Sequence, residues 1–161
     1  MTSQSYPDVF PLALASSSPP PAYNTVHKGF LTPCYSLGWL LRRSEARKLF
    51  PDNPSRSPIP IVANRDIVKK WSKIEWKYPE LKEKFERFHP VAIGNLWDSS
   101  HIIVLLCTNS GQKENKLVEE NKEEVISLAM ELIGFSEEMK AKMTKELKWH
   151  RMKCEHDPYI I

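Results

Sequence analysis

Glycine is scarce, with five residues in 161. That excludes a collagen-like chain and leaves no Gly-rich loop to wrap a phosphate. Cysteine is scarcer: Cys34, Cys107 and Cys154 are odd in number and widely spaced, which is no disulfide framework. No apolar run approaches the roughly 18 residues of a membrane helix. The N-terminus lacks the basic start of a secretory signal and the arginines of a mitochondrial address. Its one apolar run, Leu12 to Ala15, is short and flanked by prolines. These absences point to a soluble intracellular protein of the cytoplasm or nucleus, with no membrane partner. A dominant charge is missing too: 23 Lys+Arg against 20 Asp+Glu leave a net +3, too little by itself to imply a polyanionic partner. GxSxG, HExxH and paired-carboxylate signatures are absent, so the reading leans away from an enzyme.

What is present suits one globular domain: 41% hydrophobic and 27% charged residues are enough to build a core. The charge is unevenly spread. Residues 1–63 hold six basic and three acidic side chains, residues 64–89 eight and five, and residues 90–161 nine and twelve. Ten of the 13 prolines fall within residues 7–60, which splits the chain. Residues 1–25 read as a Pro/Ser-rich, partly unpacked leader. A docked arm is the alternative, because Tyr6, Val9, Phe10, Leu12 and Leu14 suit a groove. Residues 26–161 read as a single α+β domain.

Within that domain, short strands are expected around His27–Leu31 and Tyr35–Leu40. Ser44 is the expected cap of a helix over Glu45–Phe50. Residues 51–60 read as a loop, and Ile59–Ala63 as a short edge strand, since Pro60 cannot donate to a ladder. Asn64 then caps a helix with Ile67, Trp71, Ile74 and Tyr78 on its buried face, and Pro79 opens another. The clearest sheet signal is a hairpin over residues 91–108, Val91–Trp97 and His101–Thr108 joined by Asp98-Ser99-Ser100. The second strand is apolar on both faces, which predicts cover on both sides and burial of Val104, Leu105 and Leu106. A long helix over Asn115–Ile133 ends at Gly134, and Ser136 starts the next. Trp149–Asp157 fits either a helix or a strand. The fold class is therefore α+β: a small, mainly antiparallel sheet centred on the 91–108 hairpin, packed by several helices, with a Pro-rich leader.

Five constellations bear on function. Pro20-Pro21-Ala22-Tyr23 matches the PPxY pattern, which resembles ligands of WW domains. A preformed polyproline segment loses little entropy on docking, and Pro20, Pro21 and Tyr23 would make the contacts. Arg65, Lys69, Lys70, Lys73 and Lys77 form a basic helix stripe that suits phosphates, with Trp76 available to stack a base. His150, Cys154 and His156 are ligand-capable, and a continuing helix would put His150 and Cys154 on one face for zinc. No other cofactor is indicated. Residues 107–113 sit where a phosphate loop would, but with one glycine and several acidic neighbours. His101 and Cys107 share a strand face yet lie too far apart for a nucleophile pair, so no catalytic residue is assigned. The expectation is a non-enzymatic protein-interaction module engaged through the PPxY-like segment. A nucleic-acid-binding protein using the 65–77 helix is the alternative, and a small metal-dependent or hydrolytic enzyme the weaker one.

Overall fold

A computed structural model of the chain describes residues 5–50, 59–74, 79–84, 92–95 and 101–152. Positions 51–58 of the loop expected over residues 51–60, the Asp98-Ser99-Ser100 turn, Trp76, Lys77, Cys154, His156 and Asp157 lie outside the described residues, while Ile59 and Pro60 open a helix.

Mixed α+β architecture follows from one strongly patterned strand. In β4 (Tyr35–Arg42), Tyr35, Leu37, Trp39 and Leu41 alternate with Ser36, Gly38, Leu40 and Arg42. The first set is almost wholly buried and faces one layer of helices. Around it lies a five-stranded antiparallel sheet in the order β1-β7-β4-β6-β5. Its other strands are β1 (Ala13–Ala15), β5 (Ala92–Asn95), β6 (His101–Thr108) and β7 (Lys148–Arg151). The 91–108 hairpin is present as β5 and β6, with Ile93 opposite Val104. β6 is covered on both faces, with Ile102, Ile103 and Val104 fully buried. Leu105 corrects the expectation: it is only half-buried. Leu106, 5% exposed, falls at a bulge, because Leu37 pairs with Cys107 and Gly38 with Leu105. The bulge forces a close approach. A Cβ on Gly38 would stand 1.8 Å from the Val104 carbonyl oxygen.

Helices α5 (Gln112–Glu120), α6 (Lys122–Ile133) and α7 (Glu137–Glu146) supply the other half of that core. Trp39 packs edge-on against Phe135, and its indole N–H donates to the Met143 carbonyl at 2.7 Å. The single helix expected over Asn115–Ile133 is two helices, broken at Asn121, whose side-chain amide donates to the Leu117 carbonyl. The apolar stripe still holds: Val118, Val125, Leu128, Ala129 and Leu132 are buried. Gly134 stops α6 at φ 87°, and the Ser136 hydroxyl accepts from Met139 N to start α7.

Other expectations shift. α2 spans Arg43–Leu49, so Ser44 lies in its first turn and does not cap it. The strand expected at Ile59–Ala63 is the start of α3 (Ile59–Ile74), and Asn64 is interior to it. Pro60 fits there because first-turn N–H groups have no partner to lose. Ala63, Ile67 and Trp71 form the buried stripe of α3. α4 (Pro79–Lys84) opens on its proline. The strand expected around His27–Leu31 is a two-stranded hairpin, β2 (Val26–His27) and β3 (Phe30–Leu31). Lys28 and Gly29, both at positive φ, form its turn.

The chain's beginning is part of this body. α1 (Tyr6–Val9) is followed by β1, which pairs with β7 in register Leu14 to Trp149. Tyr6 and Phe10 are 5% and 1% exposed. Tyr35 Oη donates to the Pro11 carbonyl, and Arg151 donates to the Phe10 carbonyl with its guanidinium over the Tyr6 ring. No described helix is long and apolar enough to cross a membrane.

Candidate functional site

Asn109 organises the surface around Pro20-Pro21-Ala22-Tyr23. It is 3% exposed, at the end of β6. Its side-chain oxygen accepts from Tyr35 N at 2.8 Å, and its amide donates to the carbonyls of Pro21 at 3.0 Å and Pro33 at 2.9 Å. Its own carbonyl accepts from Tyr23 N at 3.0 Å. The segment is thus pinned through its backbone on both sides of Ala22, with the side chains of Pro20, Pro21 and Tyr23 half-buried. The Thr25 hydroxyl closes a turn onto the Ala22 carbonyl, and Asn24 takes a positive φ of 64°. The chain then enters the β2–β3 hairpin, where the paired residues Val26 and Leu31 are 73% and 60% exposed. Sequence reasoning singled out the prolines and Tyr23. It missed Asn109, which lies 74 to 88 residues from its partners and carries no local signal.

The basic stripe of α3 is partly as expected. Arg65, Lys69 and Lys73 are exposed, opposite the Ala63/Ile67/Trp71 stripe. Lys70 is set apart. It is half-buried, pairs with Asp66 at 3.0 Å, and reaches toward the C-terminus of α6, 3.6 Å from where a Cβ on Gly134 would sit. The helix dipole favours a cation there. Lys77 lies outside the described residues. The structure brings up a second basic element: α2 packs against α3, and Arg42, Arg47 and Lys48 on and beside it are exposed.

The metal reading rested on a helix, and His150 is on a strand. Helical i, i+4 spacing does not apply to it, and Cys154 and His156 lie outside the described residues. Among the described residues no group of three or more His, Cys, Asp or Glu side chains could hold an ion. His150 sits between Ala13 and Ser36, 9% exposed, with Nε2 lacking a hydrogen-bond partner among the described residues. Burial holds its pKa below the ordinary value, a hydrogen bond with the Gly38 backbone opposes this, and Lys148 adds to it. Ser36 is its cross-strand neighbour, and no hydrogen bond joins the hydroxyl to Nε2. Cys107 is no better placed. Burial, with Glu114 and Glu119 nearby, pushes its thiol up to about 12, far from a thiolate at neutral pH. At the expected phosphate-loop position an acid lies close: a Glu114 carboxylate oxygen stands 2.6 Å from where a Cβ on Gly111 would be, at the start of α5. No family model, curated protein or solved structure matches the chain.

Proposed function

We propose that the chain is a non-enzymatic protein-interaction module of the cytoplasm or nucleus that meets its partner through residues 20–31. The observation that carries this is the Val26/Leu31 pair, two large apolar side chains left in water on a hairpin next to the anchored Pro-Pro-Ala-Tyr segment. A surface already ordered by Asn109 loses little entropy on binding. Proline rings and a tyrosine beside exposed aliphatics suit an aromatic-lined groove such as that of a WW domain. Calorimetric titration of the full chain with a WW domain tests it. The expected result is micromolar-class affinity that Tyr23→Ala abolishes while the melting temperature stays put. Absence of binding by the full chain overturns the WW assignment. A Tyr23→Ala protein that binds normally but melts lower makes the tyrosine a packing residue.

A second reading has its own support. Arg65, Lys69 and Lys73 are exposed on α3, which packs against α2 with its own exposed Arg47 and Lys48, and such cations suit nucleic-acid phosphates. Affinity for a fluorescent duplex should fall steeply with salt, roughly as the power −0.9 per phosphate contacted. Lys69→Glu with Lys73→Glu should abolish the binding. A duplex that shows no anisotropy change at low salt removes this reading.

A further inference from the structure

Leu12 apart, the large apolar side chains that the described residues expose come in two pairs. One is Val26 and Leu31 of the β2–β3 hairpin. The other is Ile61 and Val68 of α3, 53% and 42% exposed. Their spacing is about two helical turns, so they stand nearly in line along the helix. One stripe over, Arg65, Lys69 and Lys73 follow each other at single-turn spacing, all exposed. Between the two lines lies exposed Ser72.

This face carries no free acid. Asp66 is the one acidic residue of α3, and it is half-buried and bound to Lys70 at 3.0 Å. The elements packed against α3 do not cancel its charge either. β5 has no charged residue, and α2 has three basic residues to one acid. α6 comes nearest at its C-terminal end, where Lys70 approaches Gly134. Its exposed acids Glu123 and Glu124 lie about 15 Å further along the axis, beyond a Debye length at ordinary salt. Glu131, nearer, is half-buried and already partnered.

Cations alone suit any polyanion, and the aliphatic line beside them narrows the choice. Nucleic-acid phosphates use the three cations and leave Ile61 and Val68 against a charged backbone. A groove on a partner protein reads a helix through anchors at i, i+3 or i+4, and i+7, and here the middle positions are Asn64 and Arg65. A phospholipid surface uses both lines at once. Aliphatic side chains enter the boundary between headgroups and acyl chains, while the cations stay at the phosphates. Such a surface is fluid, so a convex helix face meets it without a matching groove. The expectation of no membrane partner rests on the lack of a spanning run, which does not bear on a helix lying in the headgroup layer.

We propose that the outer face of α3 docks on an anionic phospholipid surface, with Ile61 and Val68 inserted and Arg65, Lys69 and Lys73 at the headgroups. The Ala63/Ile67/Trp71 stripe fixes the helix to the core from behind, so the face is presented ready-made. It is separate from the 20–31 surface. It shares its cations with the nucleic-acid reading, and Ile61 and Val68 tell the two apart.

Co-sedimentation of the full chain with vesicles tests this, using phosphatidylcholine alone and phosphatidylcholine with about one third phosphatidylserine. The expected result is binding to the anionic vesicles roughly a hundredfold tighter than to the neutral ones, about fivefold for each of three cations. Ile61→Gln with Val68→Gln should weaken binding to the anionic vesicles about tenfold, the worth of roughly two buried methylenes. Lys69→Gln with Lys73→Gln should weaken it about twenty-fivefold. All four positions are exposed, so circular dichroism should show the parent fold. If either pair unfolds the chain, Val68→Gln and Lys69→Gln alone serve. Absence of binding to the anionic vesicles overturns the proposal, and a DNA duplex bound in their place favours the nucleic-acid reading. Equal binding to both kinds of vesicle overturns it too. So does an Ile61→Gln, Val68→Gln protein that binds the anionic vesicles as the parent does.

Discussion

His150 is held between two strands with its outer nitrogen unpartnered among the described residues, which gives its protonation a mechanical consequence. An imidazolium there would carry a second N–H with no hydrogen-bond partner among the described residues, beside the positive Lys148. In the unfolded chain the ring takes its proton near 6.5, and in the folded chain only at lower pH. Between those two values the unfolded state binds more protons, so stability rises with pH through that window and is lost on acidification. Thermal melts from neutral pH to below 6 should show a falling Tm, and His150→Gln should flatten the slope. A slope unchanged in the variant would assign the titration to another group. Asn109 gives a second residue-scale prediction. Asn109→Ala strips partners from Tyr35 N and from the carbonyls of Pro21 and Pro33. At about 1–3 kcal/mol for a buried group left unsatisfied, the loss should reach about 3 kcal/mol in a denaturant melt. The pinned 20–23 segment should become protease-sensitive at the same time. A change under about 1 kcal/mol would mean that water replaces the asparagine freely.

Among the elements, β6 is where sequence and structure agree most closely and also where they part by one residue. A run that is apolar on both faces between His101 and Thr108 suits an inner strand, and β6 has a partner on each side. The bulge opposite Leu37/Gly38 was illegible, because bulges depend on the partner strand as much as on their own residues. It leaves Leu106 buried and Leu105 half-buried. Leu106→Ala should therefore cost about 2–5 kcal/mol, and Leu105→Ala clearly less. Equal losses in urea melts would place both side chains in the core. Gly38→Ala should be worse tolerated than its one added methyl suggests, since the Val104 carbonyl fills that space. The helices divide by the same logic. Gly134 and Ser136 are local signals and they act locally. Val118 and Val125 keep one stripe across Asn121, so apolar spacing alone could not reveal the break between α5 and α6. Ile59–Ala63 is a short apolar run around a proline, which fits an edge strand and a helix start equally well. Only its continuity with the Ile67/Trp71 stripe decides for the helix.

Taken whole, the molecule is closed by the joining of its N-terminal arm to its last described strand. Each partner is one of two readings of its segment: a docked arm against an unpacked leader for residues 1–25, and a strand against a helix for Trp149–Asp157. Ala-Leu-Ala is a weak strand sequence, and Lys148–Arg151 follows a helix with no turn signal between them. The candidate surface shares this character. Pro20, Pro21 and Tyr23 were legible as a motif, while the Asn109 contacts that hold them were not, being set by the tertiary fold. The joining also makes a prediction. Removing residues 1–15 takes Tyr6 and Phe10 out of the core, leaves β7 as a bare edge, and uncovers Arg151 and the Tyr35 hydroxyl. Burial of the two aromatic side chains alone contributes about 1.5–3 kcal/mol each. With the lost strand pairing, the deficit comes to about 5 kcal/mol, or roughly 10–20 °C in Tm for a chain of this size. The full chain should melt in one transition, and the truncated chain should melt lower, also in one, because the arm belongs to the same core as α5, α6 and α7. If the truncated chain melts within a few degrees of the parent, the arm is an accessory laid on a self-sufficient domain. The surface at 20–31, held to the end of β6 by Asn109, would then stay ordered without it.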